Sequence, residues 1–443
     1  IIVSKIMRIE THKIKSNHKA YRMLINLSHL ANNLYNQANY LVRQNFIFNN
    51  KYLNYYDLDK LFRKHKDLQA NWKHLPSHTR QQILKLLDQN WKSYFAANRD
   101  YNKNKSKYLG RPKLPNYRKS GNQFLLILTN QEFRLKSDGY IYLAKKYDRL
   151  KLKPLHDNVK YKQIRLIPKY DHFKVELIYE KEIEDNQSLN QNKYAAIDLG
   201  LNNLATLITN FNSRPIIYSG KKLKSINQYH NFKHLNILSE LNLKQNHIKP
   251  HNRLKKVKTA LEMKQIYEND KELFDKIVNT NQNDIRRTSK RIKQNWLKRE
   301  NKINDELHKI SRYIINYCVQ HNIKTIVIGH NKNQKQKSKL KHFVKLPIFR
   351  LITFLKYKAE EYGIKIIEIN ESYTSGTSFL DSELPNKKNY DKNRRLKRGL
   401  FSNGHSLINT DVNAAYQILR KYNKDINIKY SNKIFNPIIH KVC

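Results

Sequence analysis

The sequence predicts an α+β protein of several domains. Three patterns carry that expectation: two amphipathic helical periods near the start, a block of short alternating apolar runs after them, and, from Lys193 onward, strands interleaved with helices. At 443 residues the chain is too long for one ordinary core.

Within residues 16–46, Leu24, Leu27, Ala31, Leu34, Ala38 and Leu41 recur at spacings of three and four, which marks one face of a helix. A second helix follows Pro76 and Ser77. Its apolar stripe is Ile83, Leu84, Leu87, Trp91 and Tyr94, and His78, Gln82, Lys85, Gln89 and Lys92 occupy the opposite face. Core packing accounts for the stripe, and a solvated face is by itself enough to account for the polar set. The loop from Leu109 to Arg118 carries a glycine and two prolines that break helix. Strands then follow: Gln123 to Leu128, Tyr140 to Leu143 after the Asp138-Gly139 turn, and the alternation Phe173, Val175, Leu177, Tyr179. Residues before about 16 are expected to add a strand to this small barrel or sheet.

Further along, strands are expected at Tyr194 to Leu199, Leu204 to Thr209, Ile216 to Ser219, Thr325 to Ile328 and Ile364 to Ile369. A long basic helical stretch ends with Ile303, Leu307, Ile310, Ile314 and Tyr317 on one face. Pro347 to Tyr362 reads as a crossover helix between two parallel strands, and Val412, Ala415, Ile418 and Leu419 trace a last helix. Three strands, a helix-linked parallel pair and a final helix is the order of an RNase H-like α/β domain.

Lys and Arg number 86 against 36 Asp and Glu, a formal charge of +50 spread along the whole chain. Such a chain repels itself unless a polyanion compensates it, so nucleic acid is the expected partner and binding should depend steeply on salt. No apolar run approaches the roughly 20 residues that span a bilayer. The opening IIVSKIMRIE is too polar and short for a signal peptide, and the expectation is an intracellular protein. The only cysteines are Cys318 and Cys443, with Cys318 inside an apolar-periodic helix, so neither a disulfide framework nor a cysteine-ligated zinc site is expected.

Asp198 ends the run AAID, at the tip of a buried strand beside Gly200, where a charge is costly unless it is paired or metal-bound. Asp411 falls in the first turn of the last helix, where an acid commonly serves as a cap. Each alone reads equally well as a structural acid. In an RNase H-like order, however, carboxylates on the first strand and the last helix converge on one edge of the sheet. Divalent cations would then relieve their repulsion, and paired Mg²⁺ about 3.5–4 Å apart activates water and stabilises a leaving oxygen.

The blocks IDLGLNNLATL, SKRIKQNWLKRENKINDELHKISRYIINYC, TIVIGHNKN, ESYTSGTS and KRGLFSNGHSLINTDVNAA resemble TnpB proteins, as do LPSHTRQQILKLLDQNWKSYF and KYLGRPKLPNYR nearer the start. TnpB proteins are transposon-encoded, RNA-guided DNA nucleases related to Fanzor proteins and type V CRISPR effectors. The resemblance implies a wedge-domain strand at 1–15, a helical recognition lobe at 16–118 and a β-barrel wedge domain at 119–185. It implies a RuvC-like nuclease at 186–372, a target-binding lobe at 373–408, and the last RuvC helix and tail at 409–443. A guide RNA, a target DNA read next to a short flanking motif, and a monomer with its RNA are implied with it, in the cytoplasm or nucleoid of a prokaryote or in a eukaryotic nucleus.

Two departures from the family pattern stand out. Gly329 holds the position where many relatives have a strand-terminal Glu. Glu371 follows the neighbouring strand about 4.8 Å away, and ESYTS looks like the relocated acid of Fanzor-like branches. The expected site is therefore Asp198, Glu371 and Asp411 holding two Mg²⁺, with Glu368 as competitor and Glu360 and Glu361 as solvated acids. Secondly, the segment between Glu371 and Asp411 lacks the paired CxxC knuckles of many relatives, so no zinc is expected. Its Lys392, Arg394, Arg395, Lys397 and Arg398, with Gln82 and Lys85 of the second helix, are the expected nucleic-acid contacts. A relative that has lost cleavage and represses, and a guide-free nuclease or transposase, remain as alternatives.

Overall fold

The computed structural model describes residues 3–148, 150–184, 188–200, 202–247, 271–331, 347–397 and 399–440, so Arg398 lies outside the described residues. The chain divides into two units, residues 3–183 and residues 184–443.

In the first unit, β1 (Val3–Lys15) leads into α1 (Tyr21–Asn49), α2 (Tyr55–Lys64), the short α3 (Gln69–Trp72) and α4 (Ser77–Lys103). The α1 stripe from Leu24 to Ala38 and the α4 stripe Ile83, Leu84, Leu87 and Trp91 are buried together, as the periodicity requires. Trp91 donates its indole N–H to Asn39 Oδ1 at 3.0 Å, so the polar end of the buried ring is satisfied. The Leu109–Arg118 loop lacks secondary structure of its own, and α1 supplies its hydrogen bonds: Asn36 exchanges two with Arg118, and Asn39 and Arg43 both donate to Pro115 O.

Among the described residues this unit has seven strands: β1, β2 (Leu126–Thr129), β3 (Phe133–Leu135), β4 (Ile141–Leu143), β5 (Lys151–Leu152), β6 (Lys160–Pro168) and β7 (His172–Glu184). They form a four-stranded sheet in the order β1-β7-β6-β2 and a three-stranded sheet β3-β4-β5. The N-terminal strand therefore joins the later strands as anticipated. Among the described pairings these are two open sheets, not a closed barrel.

The second unit is built on a six-stranded sheet of β8 (Asn190–Asp198), β9 (Asn203–Thr209), β10 (Ile216–Ser219), β11 (Ile323–Gly329), β12 (Lys365–Ile369) and β15 (Ile438–His440), ordered β12-β11-β8-β9-β10-β15. The first three run antiparallel in sequence, and β11 pairs in parallel with both β8 and β12. The long helices α5 (Lys221–His247) and α6 (Lys271–Gln320) separate β10 from β11, and α7 (Ile348–Glu360) precedes β12. A hairpin, β13 (Leu400–Ser402) with β14 (Leu407–Asn409), leads into α8 (Thr410–Tyr422).

Strand parity decides which side each residue faces. Ala195 and Ile197 of β8 and Ile326 and Ile328 of β11 pack with the α6 stripe, Leu351 and Leu355, in the core on one side of the sheet. Ala196 and Val327 pack with Val412, Ala415, Ile418 and Leu419 of α8 in the core on the other. Cys318 is buried in the first of these cores, the role expected of a thiol in an apolar stripe. No helix among the described residues is long and apolar enough to cross a membrane.

Candidate active site

Asp198 is two residues beyond Ala196, so the alternation that turns Ala196 toward α8 turns Asp198 the same way, at the C-terminal end of its strand. α8 begins at that end of the sheet. Asn409 is its N-cap and accepts from Asp411 N at 2.9 Å and Val412 N at 3.3 Å, which holds Asp411 in the first turn. Asn203 Nδ2 donates to Asp411 Oδ2 at 2.6 Å, linking β9 to the helix.

Glu371 leaves the sheet just after β12. Thr374 donates to Glu371 O from both its backbone N–H, at 3.2 Å, and its hydroxyl, at 2.8 Å, and Lys421 Nζ donates to Ser372 O at 2.6 Å. Tyr373 completes the turn in the left-handed region, φ +71°, a conformation a bulky side chain adopts only when its surroundings impose it.

Asp198, Glu371 and Asp411 line one cavity of about 720 Å³, together with Asn203, Tyr390 and Arg395. Burial, followed by the charges of Asp411 and Glu371, pushes the Asp198 carboxyl well above the usual carboxylate range, while Arg395 pulls the other way. The Glu371 carboxyl is also raised by burial, with Lys421 opposing. Mutual repulsion of this kind is what a bound cation relieves, and three carboxylates supply the hard oxygen donors that Mg²⁺ takes. Among the described residues no three His, Cys, Asp or Glu side chains form a closed ligand group.

Glu368, the competing acid, is placed differently. Its carboxylate is 2.5 Å from Lys356 Nζ and 3.5 Å from His330 Nδ1, and it does not line the cavity.

The lobe between Glu371 and Asp411 is held without cysteine. Glu383 accepts from Ser378 N at 2.7 Å and receives Arg394 Nη1 on both oxygens, at 2.7 and 2.8 Å. From α8, Asn413 accepts from Phe379 N and donates to Thr377 O, Gln417 donates to Glu383 O, and Arg420 donates to Phe379 O. Phe379 stacks on Tyr416, ring centroids 4.3 Å apart.

The expected nucleic-acid contacts sort by what they touch. Arg395 faces the cavity, Lys392 and Lys397 are exposed, and Arg394 is engaged with Glu383 inside the lobe. In the first unit, Lys85 is exposed with its ammonium 5.0 Å from the Tyr55 ring, and Gln82 is half-buried. Sequence reading missed Asn203 and Lys421. Asn203 carries a signal in retrospect, a polar residue opening a strand two positions after Leu201, whereas nothing in the local pattern singles out Lys421.

Two family models match the chain: a probable transposase model, OrfB_IS605, over residues 172–264, and the Cas12f1-like TNB domain over residues 349–418. The first segment contains Asp198 and the second contains Glu371 and Asp411. No curated protein matches the sequence. Among solved structures, a Cas12f1–sgRNA–target DNA complex is 12% identical, covering 90% of this chain and 82% of that one at TM-score 0.48. A CRISPR-Cas12f ternary complex is 13% identical, covering 89% and 80% at TM-score 0.35. C2c1 of Alicyclobacillus acidoterrestris with single-guide RNA is 9% identical, covering 83% and 63% at TM-score 0.30. The transposase and TNB matches bear out the resemblance to the TnpB family that the sequence blocks carry.

Proposed function

We propose that this protein is an RNA-guided DNA endonuclease of a mobile element, of the Fanzor-like branch, which cuts target DNA beside a short flanking motif. The observation that carries this reading is the meeting of Asp198, Glu371 and Asp411 in one cavity, delivered by a strand end, a strand-exit turn and a helix start. The two family matches enclose all three residues.

Asp198, Glu371 and Asp411 would hold two Mg²⁺, whose charge lowers the pKa of a bound water and stabilises the leaving oxygen of a phosphodiester. Asn203 orients the Asp411 carboxylate through its 2.6 Å hydrogen bond. Lys421 fixes the turn that carries Glu371, and Arg395 supplies a guanidinium to the scissile phosphate. Residues 1–15 and 119–185 act as wedge domain, 16–118 as recognition lobe with Gln82 and Lys85 toward the flanking motif, and 373–408 as a zinc-free target-binding lobe using Lys392 and Lys397. Guide pairing selects the sequence while the protein reads the flank and the heteroduplex shape. The working form is a monomer with its guide RNA, inside the cell.

A catalytically weakened, RNA-guided repressor is the second reading, kept by the displacement of the third acid from the end of β11, where Gly329 stands, to Glu371 after β12. The test is to sequence the RNA that copurifies with the protein, then supply a duplex matching its variable end beside a randomised flank. Mg²⁺-dependent cutting beside a restricted set of flanks supports the endonuclease, and guided binding without cutting supports the repressor. Absence of any discrete copurifying RNA would overturn both.

A further inference from the structure

α5 and α6 enclose a second cleft, of about 490 Å³, that plays no part in the carboxylate site. Its floor is polar and hydrogen-bonded. Asn295 donates to His230 O at 3.2 Å, Arg299 Nε donates to Asn227 Oδ1 at 2.8 Å, and Asn227, His230, Asn295 and Arg299 are all buried. Its rim carries Lys233, Lys298 and Lys302, and among the described residues no acidic side chain lines it. Glu300 does not line the cleft, and its carboxylate bridges Arg350 Nη1, 2.8 Å distant, and Arg299 Nη1, 3.1 Å distant, so the floor arginine is already paired.

Tyr229 stands in this rim with 58% of its surface exposed, and the ammonium groups of Lys233 and Lys302 each lie 5.8 Å from its ring centroid. An exposed aromatic ring beside cations, over a hydrogen-bonded polar floor, provides for both parts of a nucleotide. The ring offers a stacking face to a base, and the lysines offer charge to the phosphates on either side.

We propose that the α5–α6 cleft binds an unpaired stretch of a polynucleotide, one base stacked on Tyr229 and the neighbouring phosphates on Lys298 and Lys302. This site is separate from the carboxylate cavity and needs neither a guide nor cleavage to be detected. A guide RNA and a displaced DNA strand present the same chemistry here, and only the sugar distinguishes them.

The protein has three tryptophans. Trp72 and Trp91 are buried, whereas Trp296 is 46% exposed and packs against the His230 ring at 4.7 Å and the Arg299 guanidinium at 5.3 Å, two residues of the cleft floor. Tryptophan emission therefore reports on this cleft against a buried background. The experiment titrates the RNA-free full-length protein with four probes: a uridine heptamer, a thymidine heptamer, an abasic heptamer that keeps the phosphates, and uridine monophosphate. The two base-bearing heptamers should change the emission saturably, and the abasic heptamer should bind more weakly. The tighter of the two identifies RNA or DNA as the natural source.

Tyr229→Ala should weaken the base-bearing strands by about 5- to 150-fold, the range for one base on one aromatic ring, and Tyr229→Phe should restore binding. Lys298→Ala with Lys302→Ala should lower the salt slope by about 1.4, at about 0.7 per phosphate of a single strand. The proposal is overturned if abasic and base-bearing heptamers bind equally, if Tyr229→Ala changes nothing while melting as the wild type does, or if the emission change persists in Trp296→Phe. Uridine monophosphate binding as tightly as the heptamer would also overturn it, leaving a free-nucleotide site.

Discussion

A Cβ placed on Gly329 would stand 3.4 Å from Glu371 Cβ and 2.8 Å from Ile418 Cγ1. Gly329 ends β11 two residues after Val327, on the side of the sheet that α8 covers. The place a side chain at 329 would need is thus already filled, by the residue proposed to replace its acid and by the helix that carries Asp411. Gly329→Ala should overpack this contact and cost about 1–3 kcal/mol. Ile418→Val removes the Cδ1 methyl nearest to the new Cβ, so the double variant should be more stable than the sum of the two single effects requires. Urea melts of the four proteins give the coupling, and strict additivity would argue against this contact.

Asp198 gives a pH dependence whose sign is fixed by its surroundings. Its carboxyl titrates well above the ordinary 3.8 in the folded protein, so between those two values the folded state binds more protons than the unfolded one. Stability is then greatest below the lower value and falls as pH rises through the higher one. Metal-free protein should lose melting temperature from about pH 4 toward neutrality, and Asp198→Asn should flatten that fall and melt higher near pH 7. Mg²⁺ should raise the wild-type midpoint and leave that of Asp198→Asn nearly unchanged. Thermal melts in chelator and in Mg²⁺ check both, and a variant that melts lower at neutral pH would contradict this reading of the electrostatics.

Most of the second unit was legible in the sequence because its signals are local. Alternation and buried apolar runs located β8 to β12, and spacings of three and four located α7 and α8. The short strands β3, β5, β13 and β14 escaped, as did β6 and β15, and these last two fail for different reasons. β6 mixes charged and apolar residues in KYKQIRLIP, and β15 is a three-residue edge strand whose pairing to β10 depends on partners distant in sequence. Asp198 and Asp411 could be nominated only together, because the RNase H-like order of elements brings a first-strand end and a last-helix start to one edge of the sheet. Glu371 was preferred to Glu368 on the resemblance of ESYTS and its place after the neighbouring strand, whereas the ion pair between Lys356 and Glu368 is a three-dimensional fact that no sequence pattern encodes.

Adjacent arginines should behave differently. Arg394 grips Glu383, whose carboxylate also accepts from Ser378 N, so Arg394→Ala should cost about 1–3 kcal/mol of stability by stranding a hydrogen-bonded acid. Arg395 lines the cavity, and Arg395→Ala should leave the melting temperature near the wild-type value while lowering cleavage by about 10- to 100-fold, on the scale of a lost charge-assisted phosphate contact. Comparing melting and cutting for the two variants checks the pair, and the reverse pattern would show the lobe to be held differently.

A chain of charge +50 should be stabilised by a bound polyanion, because a ligand bound only by the folded state raises stability by mass action. Protein freed of copurified RNA should melt lower at low salt than the complex, with the gap narrowing as salt rises. Equal midpoints at low salt would contradict this.

The central claim is that Asp198, Glu371 and Asp411 act as one unit, and cleavage of a guide-matched duplex in Mg²⁺ tests it most directly. Glu371→Gln keeps the shape of the side chain and removes its charge. It should therefore reduce cutting as far as Asp198→Ala or Asp411→Ala does, and the double variant of Asp198→Ala with Glu371→Gln should be little worse than either single one. Glu368→Gln, altered on an acid held by Lys356 outside the cavity, should cut nearly as well as the wild type. Near-normal cutting by Glu371→Gln together with loss of cutting in Glu368→Gln would contradict the account.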